Sequence, residues 1–123
     1  MRRFIKRRLI SVAYALNGVF LIIKTQKNAW IHLFMTGFVT AAGIFFKVSL
    51  NEWLALILAM AVVWVAEGLN TAIERLGDSV STAYNPIIGK AKDVAAGSVL
   101  IASAAAVIIG IIIFLPLILG VLA

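Results

Sequence analysis

From Val94 to Ala123 the chain carries no charged residue. In hydrocarbon a backbone must satisfy its own polar groups, so a run of this length reads as a membrane-embedded helix. Pro116 lacks a backbone donor and is expected to end or kink that helix. Ala102, Ala106 and Gly110 recur every four positions. That spacing suits close helix contact, and equally suits small residues facing lipid. The whole composition agrees with a membrane protein. Hydrophobic residues make up 63% and the mean hydropathy is +1.10, whereas soluble domains are nearer half apolar. The absence of cysteine excludes disulfides, thiolate metal sites and cysteine nucleophiles.

The spacing predicts an all-α membrane protein of one domain, residues 1–123, with an N-terminal amphipathic surface helix and three transmembrane helices. The surface helix is expected over 1–27. Seven basic residues lie there (Arg2, Arg3, Lys6, Arg7, Arg8, Lys24 and Lys27), with apolar residues at near-helical spacing. A signal peptide is the competing reading. Tyr14, Asn17 and Gly18 break the apolar region, and no small-x-small cleavage site follows. Residues 29–46 form the first expected span, with His32 near its start, and 53–73 the second. A loop over 77–89 is rich in Ser, Thr, Asn, Pro and Gly, and the third span covers 90–120. The net charge of +6 arises mostly at the N-terminal end. It points to anionic lipid and to topology rather than to nucleic acid. Residues 1–27 and the loop around Arg75, Lys90 and Lys92 hold ten of the eleven basic residues. The positive-inside rule puts both in the cytoplasm, with the N-terminus inside and the C-terminus outside.

Three of the five acidic residues lie between Ala66 and Asp78, directly after the apolar run Trp53 to Ala66. On a continuous helix Asn70 lies about 60° from Glu67, and Glu74 and Asp78 each about 20° from it. All four share one face. A carboxylate at membrane depth is costly and faces protein, water or a ligand. Several on one face repel one another unless a cation or proton joins them. The pattern asks for a bound metal, a proton-transfer role, or both.

Lys92 and Asp93 open the next helix, and Arg7 can approach from the surface helix. Carboxylates hold a hard cation such as Mg²⁺, and basic side chains neutralise phosphate oxygens. A carboxylate kept from water holds protons more tightly, which suits it to take one from a lipid hydroxyl. Together these are the parts of phosphoryl transfer. No Walker A motif is present: Tyr84 stands where the glycine preceding Gly89-Lys90 would be needed. The plainer alternative makes Glu67 and Asn70 interhelical hydrogen-bonding groups and Glu74-Arg75 a solvated helix end. It explains one such residue better than four on one face.

The stretch Glu67-Gly-Leu-Asn70-Thr71-Ala72-Ile73-Glu74, followed by Asp78, resembles the signature of the small prokaryotic diacylglycerol kinases, which include undecaprenol kinases. Ala91-Lys92-Asp93-Val94-Ala95-Ala96-Gly97 resembles their second block, and Tyr84-Asn85-Pro86 their tyrosine-containing loop. The likeness covers almost the whole chain. It implies an ATP-dependent lipid kinase in the bacterial cytoplasmic membrane, acting as a homotrimer with sites shared between subunits. By position, Glu67 would be the general base at the lipid hydroxyl, with Asn70 beside the lipid, and Glu74 would hold Mg²⁺. Asn70, Asp78, Lys92 and Asp93 would organise ATP, with Arg7 and Tyr14 contributed by the surface helix.

Four positions depart from the family pattern. Gln26 stands where a second metal-binding glutamate is usual, Trp30 replaces an arginine, Asn85 stands where a histidine often follows the loop tyrosine, and Gly77 replaces the valine before the signature aspartate. A glutamine carbonyl can ligate Mg²⁺, but without charge. The Asp-x-Ala-Ala-Gly form at 93–97 and the Asn28…His32 pair lean toward the undecaprenol branch over diacylglycerol. Gln26 and Trp30 keep open a catalytically inactive relative acting as a membrane interaction protein. A proton-coupled exporter relaying through Glu67 is a third possibility, disfavoured by three spans and one acidic site at the membrane edge.

Overall fold

The computed structural model describes residues 1–81 and 83–122. Thr82, in the expected loop, and Ala123, at the end of the last apolar run, lie outside the described residues. Four α-helices follow one another: α1 Arg2–Thr25, α2 Lys27–Phe45, α3 Leu50–Val80 and α4 Pro86–Leu122. All four are long and apolar enough to cross a membrane by length and composition. No strand occurs among the described residues.

Each helix boundary has a local cause. Gln26 adopts an extended conformation (φ −99°, ψ 120°) and separates α1 from α2 by one residue, while its N–H still bonds the Ile22 carbonyl. At the end of α2 the Val48 N–H reaches Gly43 O and the Lys47 N–H reaches Ile44 O. That is a Schellman closure with Lys47 at the left-handed position, φ 52°. A non-glycine residue there costs about 1–2 kcal/mol. The polar turn Ser49-Leu50-Asn51-Glu52 is a capping box. Ser49 Oγ accepts from the Glu52 N–H, and Glu52 accepts from the Ser49 N–H.

Two expectations about α4 and its approach need correction. The loop is shorter than 77–89: α3 continues to Val80 and α4 begins at Pro86. Asn85 Oδ1 accepts the Ile87 N–H at 2.9 Å, and proline suits the first helical position because no partner is needed for its missing donor. Nor does Pro116 end α4, which runs through it to Leu122. Neighbouring turns of a long apolar helix carry it past one missing hydrogen bond.

α3 is the spine. It packs chiefly on α4, with α1 and α2 resting more lightly against it. The apolar core sits at the end remote from the acidic face, around Val48, Leu56 and Ile113, with Trp53, Phe46 and Phe114 packed about it. There a Cβ on Gly43 would lie 2.7 Å from the Trp53 ring, so glycine is what lets the indole lie across α2. Most other large apolar residues are exposed, and α1 buries none. At about 1.5 Å per residue α3 and α4 exceed the ~30 Å hydrocarbon layer, so their ends reach past it.

Candidate functional site: the polar face of α3

The 3.6-residue repeat places Glu67, Asn70, Thr71, Glu74 and Asp78 along one side of α3, and packing grades their burial. Glu67 is 1% exposed, Thr71 3% and Asn70 7%. Glu74 is half-buried and Asp78 exposed. The face thus runs from a fully enclosed carboxylate to an open one in about three turns.

Two amides converge on Glu74. Gln26, at the α1–α2 break, donates from Nε2 to Glu74 Oε2 at 3.2 Å. Asn70 donates from Nδ2 to Glu74 Oε1, also at 3.2 Å. The extended backbone at Gln26 is what turns its side chain toward α3 rather than along a continuous α1–α2 rod. Asn70 Oδ1 is buried with no hydrogen-bond partner. An orphaned buried acceptor costs about 1–3 kcal/mol, so this oxygen is a place where a donor or cation would be stabilised. Among the described residues no three His, Cys, Asp or Glu side chains form a metal-holding group.

Glu67 faces α2. His32 Nε2 lies 3.8 Å from Glu67 Oε2. His32 is itself held: its ring meets Trp64 edge to face at 6.2 Å, the Trp64 N–H donates to Thr36 Oγ1 at 3.0 Å, and that hydroxyl donates to the His32 carbonyl at 2.7 Å. Thr71 Oγ1 donates to the Glu67 carbonyl at 2.8 Å.

Farther along the face, Lys92 Nζ forms an ion pair with Asp78 Oδ1. Gly77 makes that possible. A Cβ there would lie 2.8 Å from Ile88 Cγ2 and 2.9 Å from Lys92 Cε. Gly77, in place of the usual valine, is helical and leaves room for a cation from α4.

The fold therefore gathers Gln26, Glu67, Asn70, Glu74, Asp78 and Lys92 along α3. It does not bring Arg7, Tyr14 or Asp93 into contact with them. All three are exposed, and their side chains make no hydrogen bond or ion pair among the described residues. His32 with its support from Thr36 and Trp64 was not anticipated as a site group. Its signal was present: it is the one ionisable residue in the expected first span.

The model of the prokaryotic diacylglycerol kinase family matches residues 13–114, a stretch that holds the whole polar face. This chain belongs to that family. An undecaprenol kinase of Bacillus subtilis is 33% identical over 116 residues, covering 94% of this chain and 91% of the relative. A diacylglycerol kinase of Synechocystis is 38% identical over 109 residues, covering 88% of this chain and 62% of that protein. As a member of the prokaryotic diacylglycerol kinase family, the protein is a membrane lipid kinase, and a kinase takes a nucleotide as phosphoryl donor. The family resemblance read from residues 67–78 and 91–97 holds.

Proposed function

We propose that this protein transfers the γ-phosphate of ATP, with Mg²⁺, to the hydroxyl of a membrane lipid alcohol, undecaprenol in preference to diacylglycerol. The observation that carries the reading is Glu67, a carboxylate 1% exposed on a helix apolar enough to lie in the membrane. There it meets a lipid hydroxyl out of bulk water and takes its proton as the oxygen attacks phosphorus. Asn70, one turn away, orients the hydroxyl or the transferred phosphate. Lys92, held by Asp78, offers its cation to phosphate oxygens. Asp93, Arg7 and Tyr14 complete the nucleotide pocket in this reading.

Glu74 holds Mg²⁺, with Asn70 Oδ1 and Gln26 beside it. The orphaned Asn70 oxygen supports that assignment, and half a turn of the Gln26 amide would present its oxygen in place of its nitrogen. Mg²⁺ would supply charge neutralisation at the β- and γ-phosphates. Gln26→Glu sets a second carboxylate against Glu74. Without metal the two repel, and with it both bind. Half-saturating Mg²⁺ should fall about tenfold, and Mg²⁺ should raise the thermal midpoint more than in the wild type. An unchanged Mg²⁺ requirement would remove Gln26 from the metal site.

Gly77→Ala tests the Lys92 role. The added methyl displaces the flexible end of Lys92 from Asp78. Ile88 Cγ2, only 2.8 Å from the new methyl, must also give way, so stability should fall by about 1–3 kcal/mol despite the helix preference for alanine. The KM for ATP should rise several-fold while the acceptor KM stays constant. An unaltered ATP KM would dissociate Lys92 from the nucleotide.

In this reading α1 lies on the cytoplasmic membrane surface and α2, α3 and α4 cross it. Support comes from the basic cluster Arg2, Arg3, Lys6, Arg7 and Arg8, which anionic lipid headgroups attract. The N-terminus is then cytoplasmic, residues 1–123 act as one domain, and the broad exposed apolar faces suit a homotrimer with shared sites. Preference for undecaprenol rests on the 93–97 sequence and on the similarity to the Bacillus enzyme. Purified protein offered diacylglycerol and undecaprenol side by side with ATP decides the acceptor. Faster turnover of diacylglycerol would reverse the preference, and turnover of neither would sink the kinase assignment for this chain.

A further inference from the structure

A cleft of about 520 Å³ runs between α2, α3 and α4, and phosphoryl transfer as described makes no use of it. Its position follows from the packing. α2 and α4 both lean on α3 and stay apart from each other. Along α4 its wall extends from Ser103 to Ile118, about 22 Å at the helical rise and so most of the hydrocarbon thickness. Ala102 is buried against the neighbouring helix, whereas Ala106 and Gly110 line the open cleft. The small-residue row thus serves close contact at one position and forms a smooth floor at the next two.

The polar atoms in the walls are concentrated at one end. The Trp64 N–H and the Thr36 hydroxyl satisfy one another and the His32 carbonyl. Beyond them the lining is hydrocarbon, thioether and aromatic ring as far as Phe114 and Ile118. His32 lines the same end, and its Nε2 is 3.8 Å from Glu67. The cleft is therefore continuous with the buried carboxylate through one shared side chain. An occupant complementary to it has one hydroxyl at one end and one long hydrocarbon tail.

We infer that the cleft between α2, α3 and α4 holds the tail of the acceptor as a single prenyl-type chain, with His32 guiding its hydroxyl to Glu67. The inference rests on the lipid-kinase reading for the identity of the hydroxyl's destination. The slot has room for one chain, and a separate apolar cleft of about 630 Å³ lies between α1 and α3. His32 is here a positioning residue, holding the alcohol head at the mouth of the slot while Glu67 acts on the proton.

A Cβ on Gly110 meets nothing within 4 Å and the residue lines the cleft, so Gly110→Trp is the variant that places bulk in it. Gly37, on α2 outside the lining, is equally open, and Gly37→Leu is the control. In Gly110→Trp the KM for a long-chain prenol should rise about tenfold or more. The KM for ATP and turnover of a short, water-soluble prenol should stay at the wild-type level. A diazirine-tagged long prenol should label peptides from 31–39 and 103–118 in Glu67→Gln protein, and Gly110→Trp should abolish that labelling. An unchanged long-prenol KM in active enzyme overturns the inference and leaves the kinase reading standing. Loss of the native oligomer in both Gly110→Trp and Ala106→Phe, with Gly37→Leu intact, also overturns it by making the cleft a contact between copies. Labelling without any turnover by wild-type protein sinks the kinase reading and leaves the cleft assignment in place.

Discussion

Glu67→Gln lowers phosphoryl transfer by about 10²–10⁴-fold, the usual loss when a general base is removed, while the protein keeps its fold and oligomeric size. The amide has the volume of the carboxylate, so the 1%-exposed position stays filled. The neutral side chain also lacks the burial cost of an ion. Stability should hold or rise even as turnover collapses. That combination separates a chemical role from a structural one, since a residue that only bridged α2 and α3 would lose stability in step with activity. The measurement is kcat for lipid phosphorylation beside the thermal midpoint and size in detergent. Turnover within tenfold of wild type would deny Glu67 the role of base. His32→Gln is the companion variant. It retains a hydrogen-bonding group near Glu67 Oε2, and its effect should fall mainly on the acceptor KM rather than on kcat.

Glu74→Ala costs about 10²-fold or more in Mg²⁺-dependent turnover, as expected when the anionic ligand of a catalytic cation is lost. It also removes the acceptor shared by Gln26 Nε2 and Asn70 Nδ2. Two donors are left without their partner, which costs about 1–3 kcal/mol each where water does not replace it. Unlike Glu67→Gln, this variant should therefore lose stability and activity together. Glu74→Asp restores charge at a shorter reach, so part of the activity should return at raised Mg²⁺. The readout is turnover against Mg²⁺ concentration for wild type and both variants. A Glu74→Asp curve that saturates at the wild-type Mg²⁺ level would place the cation elsewhere.

The polar face of α3 was legible in the residues because helical periodicity is local. Once Trp53 to Asp78 is read as one helix, Glu67, Asn70, Glu74 and Asp78 must share a side. The apolar runs were equally legible, since hydrocarbon admits few backbone solutions. Helix ends were less so. Asn85-Pro86 is a helix start as much as a loop motif, and Gly77 lies within α3 instead of opening a loop. Pro116 failed as a stop because long apolar helices carry proline internally.

The amino-acid sequence by itself determined the class of molecule, the helices, the family and the side of α3 that bears the chemistry. All of these depend on composition and on spacing within single helices. Only the tertiary structure decided which groups meet across helices. Gln26 reaches Glu74 because one extended residue breaks α1 from α2. Lys92 reaches Asp78 because Gly77 leaves room. His32 comes to 3.8 Å from Glu67, and α2 stands off from α4 to leave a cleft. α4 is apolar on every side, so no stripe in its sequence announces which face meets α3. Crossing angles and interhelical gaps follow from how whole surfaces interlock, and that information lies in pairs of helices rather than in either one.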